Sequence, residues 1–133
     1  MTSTADEGRE PDETVDGAFL AAEVASLVTA TVAFALWLDG STVVLVPGGS
    51  LSAFAAAVLF LGVSAVAAAA KARHRGQEMR SHGHVVLASG LGIVAIAGGV
   101  VLVDLGGIAV TGATLGVVVA VAGLNLVALD VVR

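Results

Sequence analysis

The chain has 133 residues, 57% of them hydrophobic and only 13% charged, with a mean hydropathy of +1.00; an ordinary soluble domain carries about 25% charged residues. Beyond residue 16 too few polar side chains remain to coat a water-soluble surface, so composition excludes a soluble globular fold and makes lipid the second solvent. With 6 Lys and Arg against 11 Asp and Glu, sequence-specific nucleic-acid binding is not expected, and the absence of cysteine excludes disulfides and thiolate metal sites.

Residues 1–16, MTSTADEGREPDETVD, hold Asp6, Glu7, Glu10, Asp12, Glu13 and Asp16 against Arg9 alone. Nothing apolar offsets the entropy of ordering them, so a disordered acidic tail is expected. A signal peptide opens on basic residues and has a shorter apolar run, so the first apolar segment is expected to stay in the mature protein.

Four apolar runs follow, at about 17–38, 51–70, 84–103 and 108–129. Each has about 20 residues, enough for a helix rising roughly 1.5 Å per residue to cross a hydrocarbon core about 30 Å thick. Barrel strands would alternate with a period of two over shorter stretches, and these runs do not. The expected fold is therefore all-α: an integral membrane domain, residues 17–133, with four transmembrane helices in an antiparallel up-down bundle.

The first connection, residues 39–50, contains Pro47 and a glycine pair that break a helix, and Ser50 is placed to cap the second helix. Its Val43–Val46 stretch is apolar enough for the membrane interface. Residues 71–83, KARHRGQEMRSHG, read as a long basic loop. The third connection, DLGG at 104–107, is so short that the last two helices must form an antiparallel hairpin.

Arg9, Lys71, Arg73, Arg75, Arg80 and Arg133 all fall on one side of this topology. The positive-inside rule places that side, with both termini, in the cytoplasm or its topological equivalent. Asp39 and Asp104 then lie outside, and Trp37 sits at the outer interface. Lys71, Arg73, Arg75 and Arg80 are placed to bind anionic lipid headgroups, each contributing on the order of 1 kcal/mol near the surface.

Helices embedded in lipid associate through close packing of small residues. Ala88, Gly92, Ala95 and Gly99 share one face of the third helix. Gly112, Gly116, Ala120 and Gly123 form a stripe on the fourth, with a G-x-x-x-G step at Gly112 and Gly116. Such stripes serve either the internal packing of a tight bundle or an oligomer. The partners expected are the lipid bilayer and, on the second use, another copy or another membrane protein.

Glu23 is the one acidic residue well inside a predicted span. A carboxylate there is costly unless paired or protonated, which makes it a functional candidate. Counted from the inner boundary, Ser64, Ser89 and Asn125 lie at about its depth, so the four could form an intramembrane polar layer that relays a proton or cation, or one that only fixes bundle register. His82-x-His84 could supply two metal ligands, but no further ligand is apparent, and no metal or cofactor is expected. No Ser/His/Asp or paired-carboxylate arrangement points to an enzyme.

AAEVAS at 21–26, SGLGIV at 89–94 and the Ala/Gly-rich fourth span resemble small multidrug-resistance transporters. That resemblance implies Glu23 as the carboxylate that binds proton and cationic drug in turn, and helix four as a dimer contact. The chain departs from that pattern in having no Tyr, no Trp near Glu23 and a longer second connection. In overall layout the chain is similar to the small four-span internal membrane proteins of haloarchaeal pleomorphic viruses. This resemblance implies a protein lining a membrane vesicle and contacting genome or spike from inside. The single Lys, abundant Val and acidic balance are similar to proteins of salt-loving archaea. The function expected is a non-catalytic structural or accessory membrane protein of a salt-adapted archaeon or its virus, with a small proton-coupled transporter using Glu23 as the alternative.

Overall fold

The computed structural model describes residues 13–40, 43–46, 49–101 and 107–132. Its elements are α1 (Glu13–Leu38), β1 (Val43–Val46), β2 (Gly49–Ser52), α2 (Ala53–His74), α3 (Glu78–Val101) and α4 (Gly107–Val132). All the long elements are helices, and α1, α2 and residues Val110–Val132 of α4 are long and apolar enough to cross a membrane. Of the acidic tail, Glu13 to Asp16 form the first turn of α1. The rest of that tail, and Asp104 with most of the third connection, lie outside the described residues.

Two connections differ from the sequence reading. Within the first, β1 and β2 pair antiparallel, with Val43 opposite Ser52 and Val46 opposite Gly49. The β-branched run that reads as an interfacial stretch is thus one arm of a hairpin, as its β propensity favours. Ser50 lies in β2, and the cap of α2 is Ser52, whose hydroxyl accepts a 3.0 Å hydrogen bond from the Ala55 N–H.

The long basic loop is a tight turn. Lys71 and Arg73 are in the last turn of α2, whereas Arg80, Ser81, His82 and His84 are in the first turns of α3. Gly76 adopts φ +72° after the helix end. There the Gly76 N–H donates to the Arg73 carbonyl at 3.0 Å and the Gln77 N–H to the Ala72 carbonyl at 2.8 Å. This is the Schellman arrangement, which satisfies the terminal carbonyls with a left-handed glycine. Polar and basic composition reads as loop, but Lys, Arg, Gln and Glu are good helix formers and extend both helices beyond their apolar runs.

Packing runs between chain neighbours: α1 on α2, α2 on α3 and α3 on α4. Lys71 meets Glu23, Ser81 meets Ala69 and Gly83 lies against Val127, so each neighbouring pair is antiparallel. Half of the α2 span is buried, against 11% of the α1 span and 17% of the α4 span. The molecule is therefore an ordered row with α2 and α3 at its centre and α1 and α4 as flanks, more open than a closed four-helix bundle. The core is made of small residues: Ala33 of α1 clusters with Ala56 and Ala57 of α2. Along α1 only Ser26, Ala30 and Ala33 are buried, a single helical stripe. At the end of that contact, Phe34, Trp37 and Phe54 stack in series with ring centroids 5.5 and 5.4 Å apart.

Candidate functional site

Apart from Asp39, the charged residues among those described gather at the end of the molecule marked by the Gly76 turn. On α1, Asp16 and Glu23 are seven residues apart and share a face; Lys71 and Arg75 on the α2 side are four apart and do the same. Antiparallel packing turns this matched spacing into two ion pairs. Lys71 Nζ donates to Glu23 Oε2 at 2.5 Å, with both side chains only about a quarter exposed. Arg75 Nε donates to Asp16 Oδ2 at 2.8 Å.

A third pair closes the other flank, where Arg80 Nε of α3 donates to Asp130 Oδ2 of α4 at 3.0 Å. Between the two central helices, the buried Ser81 hydroxyl donates to the Ala69 carbonyl at 3.0 Å. Every neighbouring helix pair is thus joined by a polar contact at one end of the molecule. Near the same end the Phe19 ring stands edge-on to His74 at 6.4 Å. Asp16 Oδ1 and His74 Nε2 are buried there with no hydrogen-bond partner among the described residues.

A cleft of about 300 Å³ opens at this end and is lined from all four helices. Its polar lining residues are Glu23, Lys71, Arg75, Gln77, Arg80 and His84, and its apolar ones are Ala68, Ala72, Val127 and Val131. His84 Nδ1 lies 2.8 Å from the Arg80 carbonyl and donates to it, and His82 does the same to Glu78. The two histidines, two positions apart on a helix, point in different directions. Among the described residues no group of three His, Asp or Glu side chains is arranged to hold a metal ion.

Glu23 reaches Lys71, and the rest of the proposed polar layer lies elsewhere. Ser64 is half-buried on α2. Ser89 is exposed and donates back to the Val85 carbonyl at 2.9 Å. Asn125 is exposed on α4, half a turn away from the stripe that packs on α3. Depth counting puts these residues at one level but leaves their direction around each helix open, and packing turns Ser89 and Asn125 outward.

The small residues divide similarly. Gly112, Gly116, Ala120 and Gly123 lie at the α3–α4 contact, where Cβ atoms on Gly116 would fall 2.7 Å from Val94 Cγ2 and 2.8 Å from the Gly90 carbonyl. A Cβ on Gly90 would collide with the Ala120 backbone, and one on Gly123 with Leu87. The facing stripe on α3 is Gly83, Leu87, Gly90, Val94 and Ala97. Ala88 turns its carbonyl toward Gly62 of α2, Ala95 is buried, and a Cβ on Gly92 would meet nothing within 4 Å. The packing of Gly99 falls outside the described residues.

Of the four cations assigned to lipid headgroups, Lys71, Arg75 and Arg80 are held by carboxylates, and Arg73 is exposed with no ion pair among the described residues. Sequence reasoning missed Asp16 and Asp130 as the partners of Arg75 and Arg80, and Ser81 as the link between α2 and α3. The matched spacings of Asp16/Glu23 and Lys71/Arg75 could have found the first; Ser81 was hidden by reading its segment as loop. No protein-family model, curated protein or solved structure matches the chain.

Proposed function

We propose that the chain is a non-catalytic structural or accessory membrane protein of a salt-adapted archaeon or its virus, with four helices crossing the bilayer and both termini on the side of the basic turn. The observation that carries this reading is the division of its surface. Leu20, Val24, Val28 and Val32 on α1, and Val110, Leu115, Val118 and Leu124 on α4, are exposed large apolar residues. Among the described residues the ion pairs gather at one end, where the cleft opens. Exposed apolar area of this extent is tolerated in lipid and not in water. The apolar part of α3 lies between α2 and α4, two candidate spans antiparallel to it, which supports it as the fourth.

Transport through Glu23 gains less support. Its carboxylate is occupied by Lys71, so a cation would first have to displace an internal partner. Phe34, Trp37 and Phe54 stack with one another toward the opposite end of α1, and the one ring near Glu23 among the described residues, Phe19, stands edge-on to His74.

The absence of cysteine makes the test direct, because single cysteines can be introduced without background labelling. Cysteines in place of Arg73 and Val132 are expected to react with a membrane-impermeant maleimide only from the cytoplasmic side of oriented vesicles, and one in place of Asp39 only from outside. Labelling of Asp39→Cys and Arg73→Cys from the same side would remove the four-span topology.

A further inference from the structure

We propose that the cleft at the charged end binds the phosphate of an anionic lipid headgroup. The proposal rests on the reading of the chain as membrane-embedded, which places this end at headgroup level. The cleft is rich in hydrogen-bond donors. An ammonium carries three N–H groups and a guanidinium five. In the ion pairs Arg75 and Arg80 each engage their carboxylate through Nε. The Nη groups of Arg75 have no acceptor among the described residues, and those of Arg80 have only the Gln77 Oε1, at 3.5 Å from Nη1.

This mode of pairing has a geometric consequence. A carboxylate on Nε fixes the plane of a guanidinium while leaving its two Nη groups as a fork, the arrangement that grips two oxygens of a phosphate. Because Asp16 and Asp130 already hold the two arginines, little side-chain entropy remains to be lost on binding. Lys71 adds N–H donors from the α2 side of the same cleft, its charge balanced by Glu23.

The apolar part of the lining favours a lipid as the source of the phosphate. Val127 and Val131 of α4 line the cleft together with the polar residues. A glycerol ester continues from phosphate into apolar surface, whereas a free hydrated phosphate gains nothing from valines. Basic pockets between membrane helices on the cytoplasmic side bind headgroups in this way. Arg73 does not line the cleft and is the internal control.

The test is native mass spectrometry of the full chain in detergent micelles doped with equal phosphatidylglycerol and phosphatidylcholine. The wild-type chain should retain phosphatidylglycerol preferentially. The double variant Arg75→Gln/Arg80→Gln should retain it about tenfold less or worse, and Arg73→Gln should match wild type. Should the double variant fail to fold by circular dichroism, Gln77→Glu keeps all three ion pairs, adds a negative charge to the cleft and should lower retention as well. Equal losses in Arg73→Gln and Gln77→Glu would reduce the effect to diffuse surface charge and overturn the site. Displacement of the lipid by excess inorganic phosphate would overturn the lipid as its source. Labelling of introduced cysteines reports on membrane embedding by itself, so failure of that reading is distinguishable from failure of this one.

Discussion

At the level of single residues, the contact between α3 and α4 is set by glycines whose missing side chains let the backbones meet. A methyl group on Gly116 would enter the space of Val94 and of the Gly90 carbonyl. Gly116→Ala should therefore destabilise the chain by about 1–3 kcal/mol, the usual cost of overpacking, read as a lower thermal midpoint in detergent. Gly92→Ala, with nothing within 4 Å of its new methyl, should stay within about 0.5 kcal/mol of wild type. Equal effects would mean that the two glycines differ less in environment than their geometry indicates. The Glu23–Lys71 pair is partly exposed, so Glu23→Gln should cost about 1 kcal/mol. A double-mutant cycle with Lys71→Gln isolates the interaction; additive losses would show that the two side chains stabilise nothing by their contact.

At the level of elements, helix ends are decided by local chemistry. Ser52→Ala removes the hydroxyl that accepts from Ala55 and should destabilise α2 by about 1 kcal/mol, measured as accelerated amide exchange in its first turn. Gly76→Ala forces a Cβ into a φ of +72° and should cost about 1–2 kcal/mol by the left-handed penalty. The turn was hard to read because its residues are both basic and strong helix formers. Polarity argued for a loop and propensity for continued helix, and only the Gly76 turn marks where one helix stops. The hairpin of β1 and β2 was hidden for a related reason. Four apolar β-branched or branched residues suit an interface and a strand equally, and pairing partners are a tertiary matter.

For the whole molecule, the sequence already determines that the chain is helical, with runs long and apolar enough to cross a membrane, and that small residues dominate the contacts. Run length, hydropathy and the Gly112/Gly116 step are local properties that need no knowledge of neighbours. The charged site was legible only in part. Glu23 stood out because an isolated carboxylate in an apolar run is costly, yet its partner is 48 positions away. Asp16 reads as tail, and the partners of Asp16 and Asp130 are 59 and 50 positions away. Which way each residue faces around its helix depends on the crossing partner, so Ser89 and Asn125 could share a depth with Glu23 and still point outward. Tertiary structure alone decided that packing follows chain order, leaving α1 and α4 as exposed flanks, and that three ion pairs and a donor-rich cleft meet at one end. Period and composition fix what each helix is made of, whereas rotation and register are fixed only when two surfaces interlock.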